Sequence, residues 1–185
     1  MSALHCVLSI AGIIAYGAGT ARATSEYPLT LVADARAKTS TTTVNSQVTI
    51  RVDRLMEENR RMRVTDALKY SGYANFLSAL RALPAVGTIE LATRKVELRY
   101  AHEQQDDTGR RLVLVADRPL FFLGGDPRKA RAGYELTIVE LRFDARGGAT
   151  GTMAGAARVK PSPDGIVLDD YADVTVQLVV RGDRP

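Results

Sequence analysis

The chain has 185 residues, 25 basic and 21 acidic side chains, a net charge of +4, one cysteine, two histidines and no tryptophan. That length suits one domain built around one core. A mildly basic charge, mixed in sign and without aromatic platforms, argues against a nucleic-acid binder, and a lone cysteine excludes a disulfide-stapled fold.

The first 23 residues read as a secretory signal peptide. Leu4 to Ala21 is uncharged, its apolar centre runs from Cys6 to Ala15, and Ala21-Arg22-Ala23 is a small-x-small site before Thr24. No Lys or Arg precedes the apolar centre, an omission for an export signal. The stretch approaches membrane-spanning length, but Ser9, Gly12, Gly17, Gly19 and Thr20 dilute it and favour a cleaved leader over an anchor. Cleavage after Ala23 would remove Cys6, His5 and Arg22. It leaves residues 24–185, a single β-rich domain of 162 residues (185 − 23) with a net charge of +3 (24 − 21).

The remaining chain alternates mostly with period two, the pattern of half-buried strands. Leu29 to Ala37 is a first strand, and Ser40 to Thr43 an exposed loop. Val48, Ile50 and Val52 oppose Thr49, Arg51 and Asp53 on a second strand. From Leu55 to Leu83 the spacing turns helical. Val64, Ala67, Leu68 and Ser71 form one stripe stopped by Gly72; Tyr73, Phe76, Leu77, Leu80 and Leu83 form another ending at Pro84. These helices pack their stripes on the sheet as core, or serve as a lid or partner face.

Beyond them Val96, Leu98 and Tyr100 alternate with Lys95, Glu97 and Arg99, a phase that places His102 on the face of Val96, Leu98 and Tyr100. Asp106-Asp107-Thr108-Gly109 closes a hairpin. Leu112–Ala116 and Leu136–Leu141 are apolar on both faces and belong at the centre of the sheet; in the second, the phase slips between Ile138 and Val139, predicting a bulge. Gly147-Gly148 and Pro161-Ser162-Pro163-Asp164-Gly165 mark further turns. Val174, Val176, Leu178 and Val180 form the last strand. The expectation is α+β: an antiparallel sheet of about seven to eight strands, curled or barrel-like, with a helical pair inserted after the second strand.

The mature chain, without cysteine and with one histidine, excludes thiol catalysis and most zinc chemistry. No Gly-x-Ser-x-Gly elbow, P-loop or Gly-x-Gly-x-x-Gly occurs. Asp106-Asp107 and Asp169-Asp170 lack the spacing of a calcium loop. No catalytic, cofactor-binding or metal-binding set emerges, and no cofactor is expected.

The contact candidates are Tyr100, His102, Asp117, Arg118, Phe121, Phe122 and Glu140. His102 at a strand end is either a ligand contact or pH-sensitive group, or a half-exposed edge residue. Asp117-Arg118-Pro119 either orients a polar ligand or closes a strand end as an ion pair. Glu140 lies on the solvated face or pairs with a base such as Arg99 or Arg118. Phe121 to Gly133 joins aromatics, Gly124-Gly125 and the basic run Arg128-Lys129-Ala130-Arg131; it contacts a membrane surface, an anionic ligand or a partner, or its phenylalanines simply pack inward.

Val48-Thr-Ile-Arg-Val-Asp-Arg54, Ala79-Leu-Arg-Ala-Leu-Pro-Ala-Val-Gly87, Leu98-Arg-Tyr-Ala101, Gly109-Arg-Arg-Leu-Val-Leu-Val-Ala-Asp-Arg-Pro119 and Leu136-Thr-Ile-Val-Glu-Leu141, in this order, resemble a group of uncharacterised secreted bacterial proteins. The resemblance runs from about Thr30 to Val180 and implies one exported domain, without an activity, cofactor or catalytic residue to carry over. The functional expectation is an exported, periplasmic or secreted, non-enzymatic protein binding a small apolar ligand or a cell-envelope partner. It includes no nucleic acid and no stable membrane span after cleavage. The alternatives are a carboxylate-dependent hydrolase of envelope or extracellular polymers, and a structural subunit using a sheet edge or helix face.

Overall fold

Strands that alternate apolar and polar residues bury one face, and a ring of them buries it without leaving an open edge. The computed structural model describes residues 27–106 and 109–181; the leader read in residues 1–23 and two residues of the Asp106–Gly109 turn lie outside them. In chain order come β1 (Leu29–Lys38), β2 (Thr43–Val52), α1 (Glu58–Tyr70), α2 (Tyr73–Arg81), β3 (Gly87–Leu91), β4 (Arg94–Asp106), β5 (Gly109–Ala116), β6 (Leu136–Phe143), β7 (Ala149–Ser162), β8 (Gly165–Tyr171) and β9 (Thr175–Val180), with a 3-10 turn at Pro127–Lys129 before β6. The sheet order is β6-β5-β4-β3-β2-β1-β9-β7-β8, and a further β6–β7 pairing closes eight strands into an antiparallel barrel. As expected, the helical pair enters after the second strand.

β7 makes closure possible by its length. One side pairs with β6; along the other, Ala149–Ala154 pairs with β9 and Ala157–Ser162 with β8. β8 therefore extends the wall beyond the ring.

The barrel interior is filled by side chains. Leu31, Ala33 and Ala35 of β1, Ile50 of β2, Leu112 and Leu114 of β5, Leu141 of β6, Met153 of β7 and Leu178 of β9 belong to one cluster and are at most 5% exposed. Leu120 and Phe122, from the β5–β6 connection, join this cluster at 1% and 6% exposure. A second cluster lies outside the wall, where Val64, Phe76, Leu77 and Leu80 of the helices meet Tyr100, Val113, Val115, Leu136, Ile138 and Ile166. Burying Phe76 or Leu80 completely contributes about 1.5–3 kcal/mol each. The helical stripes are core.

This second layer explains why β5 and β6 are apolar on both faces: their inward residues fill the barrel and their outward residues lie beneath helices. It also corrects the bulge expected between Ile138 and Val139. β6 alternates without a slip, Leu136 and Ile138 facing the helices, Val139 and Leu141 the interior. The irregularity falls on the partner strand, where Leu136↔Ala157 and Ile138↔Ala154 leave an extra residue in β7 near Gly155.

A second correction concerns β4. Its pairing with β5 shifts between Leu98 and Tyr100. Val96 and Leu98 point into the barrel, whereas Tyr100 packs in the outer cluster under the helices. His102 sits opposite the outer-cluster residue Val113. It shares a face with Tyr100 but not with Val96 or Leu98, because the extra residue at Arg99 inverts the alternation.

Candidate functional site

The seven contact candidates fall into two groups on different parts of the wall. The first centres on Tyr100 and His102, whose rings meet edge-on with centroids 6.3 Å apart. α1 brings Arg61 and Glu58 over them, and the β7–β8 turn brings Asp164 and Gly165. The Asp164 carbonyl accepts hydrogen bonds from Gln104 Nε2 at 3.1 Å and Arg61 Nη1 at 3.5 Å. A Cβ on Gly165 would sit 2.5 Å from the Tyr100 hydroxyl, so only glycine lets the turn seat this closely. That hydroxyl is fully buried, and no hydrogen bond of good geometry reaches it although Arg61 lies beside it. Burial pushes the phenol up, outweighing the opposing pull of Arg61.

Glu140 belongs to the same outer face. Its carboxylate accepts two bonds from Arg111, both at 2.9 Å. The partner expected among Arg99 or Arg118 is instead the diagonal cross-strand neighbour, since Arg111 is opposite Arg142 and Glu140 opposite Val113. Together these contacts fasten the hairpin tip and α1 to the barrel.

His102 is half-buried within this clamp. Burial holds its pKa below the ordinary 6.5; Arg61 and Arg111 push the same way, while Glu58 and Asp164 oppose them. The unfolded chain therefore takes up a proton before the folded one, and this group's contribution to stability falls as pH drops below about 6.5 through the folded pKa. Urea midpoints measured from about pH 7.5 to about pH 5 should fall more steeply for the wild type than for His102→Gln. Parallel profiles would exclude His102 as the acid-sensitive group.

The second group lies where β5 ends. Asp117 is 6% exposed, and its carboxylate accepts a bond from Arg99 Nε at 3.0 Å. Arg99 also binds Glu97 and donates to the Leu83 carbonyl at 2.8 Å, tying the end of the helical layer to the wall. Asp117 thus does close a strand end as an ion pair, with Arg99 and not Arg118 as its partner. Arg118 is exposed, and its carbonyl accepts a bond from buried Thr137 Oγ1 at 2.9 Å. Phe121 is half-buried; Phe122 follows the inward-packing alternative, buried in the barrel cluster with its amide donating to Asp173 at 3.0 Å. Burial raises the Asp173 carboxyl despite that bond.

Two adjoining clefts open here. One, of about 300 Å³, is lined by Lys95, Val96, Glu97, Arg99, Asp117 and Arg118. The other, of about 190 Å³, is lined by Arg94, Lys95, Val96, Arg118, Pro119, Leu120 and Pro127. They share Lys95, Val96 and Arg118 and so lie side by side. Arg94 and Lys95 carry no local sequence signal for this role, since only the β3–β4 turn and strand register bring them beside residues 117–120. A groove of about 500 Å³ between α1 and the β7–β8 turn contains none of the seven candidates.

Asp117 and Glu140 do not share a cleft. Glu140 is opposite Val113, so the two acids are separated by roughly 13 Å along β5, outside the about 5–10 Å that glycoside hydrolysis needs. Among the described residues no cluster of three or more metal-ligating side chains occurs, and no helix is long and apolar enough to cross a membrane. No family model, curated protein or solved structure matches the chain.

Proposed function

We propose that this chain is an exported, non-enzymatic binding protein that holds a small ligand on the outside of the barrel, in the depression around Lys95, Val96 and Arg118. The observation that carries this reading is that two clefts lie side by side on the outer wall and share those three residues. The barrel interior, the first place to seek an apolar ligand in an eight-stranded barrel, is occupied by its own side chains. The leader read in residues 1–23 supports an envelope or extracellular setting.

Native mass spectrometry of protein purified from its host tests the reading. An added mass that disappears on denaturation is expected. A bulky maleimide on Pro127→Cys, at the cleft rim, should prevent that mass from appearing; the same label on Arg63→Cys of α1 should leave it. A bare protein mass, or an added mass indifferent to the Pro127 label, would overturn the assignment.

A further inference from the structure

Around α1 the charges do not cancel. From Arg51 to Lys69 six basic side chains stand against four acidic ones, an excess of two (six minus four). Each acid has its own base. Asp53 has Arg51 at 2.7 Å, Glu57 has Arg60 at 3.3 Å, Glu58 holds Arg61, and Asp66 acts on Lys69. Arg54 and Arg63 remain, both exposed and without a carboxylate partner among the described residues. Backbone carbonyls hold them instead: Arg54 Nη2 donates to Ala85 at 2.8 Å and Arg63 Nε to Asn59 at 3.3 Å. A carbonyl accepts the bond but cancels no charge. Residues 70–86, which follow, add Arg81 and no acid.

The two arginines flank an apolar ridge. α1 and the end of α2 border a groove of about 410 Å³ that Arg63 lines; beside it Arg54, Leu55 and Met56 line a recess of about 30 Å³. Leu83 and Pro84 belong to both, and Glu57, already engaged by Arg60, is the one acid lining either among the described residues. The ridge is open to solvent: Ala82 and Pro84 are exposed, and Leu55, Met56, Ala79 and Leu83 are half-buried. It is also fixed in place. The Leu83 carbonyl accepts from Arg99 at 2.8 Å and the Val86 carbonyl from the Asp53 amide at 2.8 Å. A surface ordered before binding loses little freedom when it is covered.

We infer that this surface docks an acidic segment of a partner protein, with its apolar side chains on Leu83 and Pro84 and its carboxylates on Arg54 and Arg63. A guanidinium with free N–H groups takes a carboxylate through two parallel bonds, and arginine clusters are recurrent readers of acidic motifs. The two arginines line different cavities, so spaced carboxylates on one chain suit them better than one small anion. A nucleic acid also carries spaced anions, but the aliphatic ridge offers no ring for a base to stack on. The surface shares no lining residue with the clefts at Arg118 and is independent of the small-ligand site.

Fluorescence anisotropy with a labelled peptide, Ser-Glu-Glu-Leu-Leu-Glu-Glu-Ser, tests the docking surface. Two relatives serve as comparisons, one with lysine for glutamate and one with serine for leucine. The acidic apolar peptide should bind about tenfold tighter than either and weaken as salt rises. Arg63→Gln should weaken it roughly tenfold, and Arg54→Glu combined with Arg63→Glu should transfer the preference to the lysine peptide. Urea midpoints check that these variants, all at exposed positions, still fold. A bulky maleimide on Arg63→Cys should abolish binding, and the same label on Pro127→Cys should leave it. No binding, equal binding of the three peptides, or an unchanged affinity in Arg63→Gln overturns the docking surface. A labelled oligothymidylate that binds as tightly as the acidic peptide overturns it in favour of unselective attraction to anions. Peptide binding blocked by the Pro127 label alone overturns the placement and puts the peptide in the clefts at Arg118.

Discussion

Gly155→Ala is expected to cost about 3 kcal/mol or more, at the upper end of what overpacking does to a core. The residue has no unusual backbone conformation to lose. Its importance is steric: a Cβ there would lie 2.1 Å from the Leu120 carbonyl oxygen and 2.8 Å from its carbon. Both are backbone atoms, so no side chain can rotate away. The Leu120 amide bonds to the Gly155 carbonyl, and buried Thr137 bonds to both segments. Moving this contact lifts Leu120 and Phe122 out of the end of the barrel. Gly147→Ala supplies the comparison, since that glycine has a φ of +80° but open space around its Cβ position; strain alone should cost about 1 kcal/mol. Urea denaturation of both variants decides the matter. A Gly155→Ala midpoint no lower than that of Gly147→Ala would mean that the plug does not depend on this close approach.

Much of the architecture is legible in the sequence because one half of the barrel wall faces water. β1, β2 and β9 carry clean alternation for that reason. The helix stripes are legible because Gly72 and Pro84 bound them. What misleads is the other half, where helices cover the wall. There outward positions are apolar too, so Ile138 and Val139 look like a slipped phase when each is simply buried on its own side. The bulge at Arg99 leaves no sequence trace, since Tyr100 continues the apolar series of Val96 and Leu98 while facing the opposite way.

The candidate site is legible residue by residue but not in its pairings. Asp117 and Arg118 stand out as a charged step between a buried strand and a proline. The sequence offers them as partners of each other because they are adjacent. Strand register instead gives Asp117 to Arg99, eighteen residues back, and Glu140 to Arg111. Register is a property of the closed sheet, set by bulges that the local pattern does not reveal.

Arg99→Ala is expected to be as damaging as the glycine substitution, for an electrostatic reason. Arg99 and Asp117 side chains are 19% and 9% exposed, and removing the cation strands a carboxylate in a nearly dry site. Breaking such a pair from one side costs about 3–5 kcal/mol, more than the pair itself contributes. The Leu83 carbonyl loses its donor at the same time, so the damage should extend into the helical layer. Hydrogen exchange should show the amides of α2 losing protection ahead of those of β1 and β2, which lie on the far side of the barrel. Replacing both partners, Arg99→Met with Asp117→Leu, should recover most of the loss, because an apolar pair leaves no charge to desolvate. A double-mutant cycle in urea measures the coupling directly. If Arg99→Ala costs less than about 1 kcal/mol, the value of an exposed pair, then water reaches Asp117 and the ion pair does not hold the helices to the wall. If the single substitution is costly and the apolar pair restores stability, Arg99 is needed because Asp117 is there, which leaves Arg118 as the charge at the strand end free to meet a ligand.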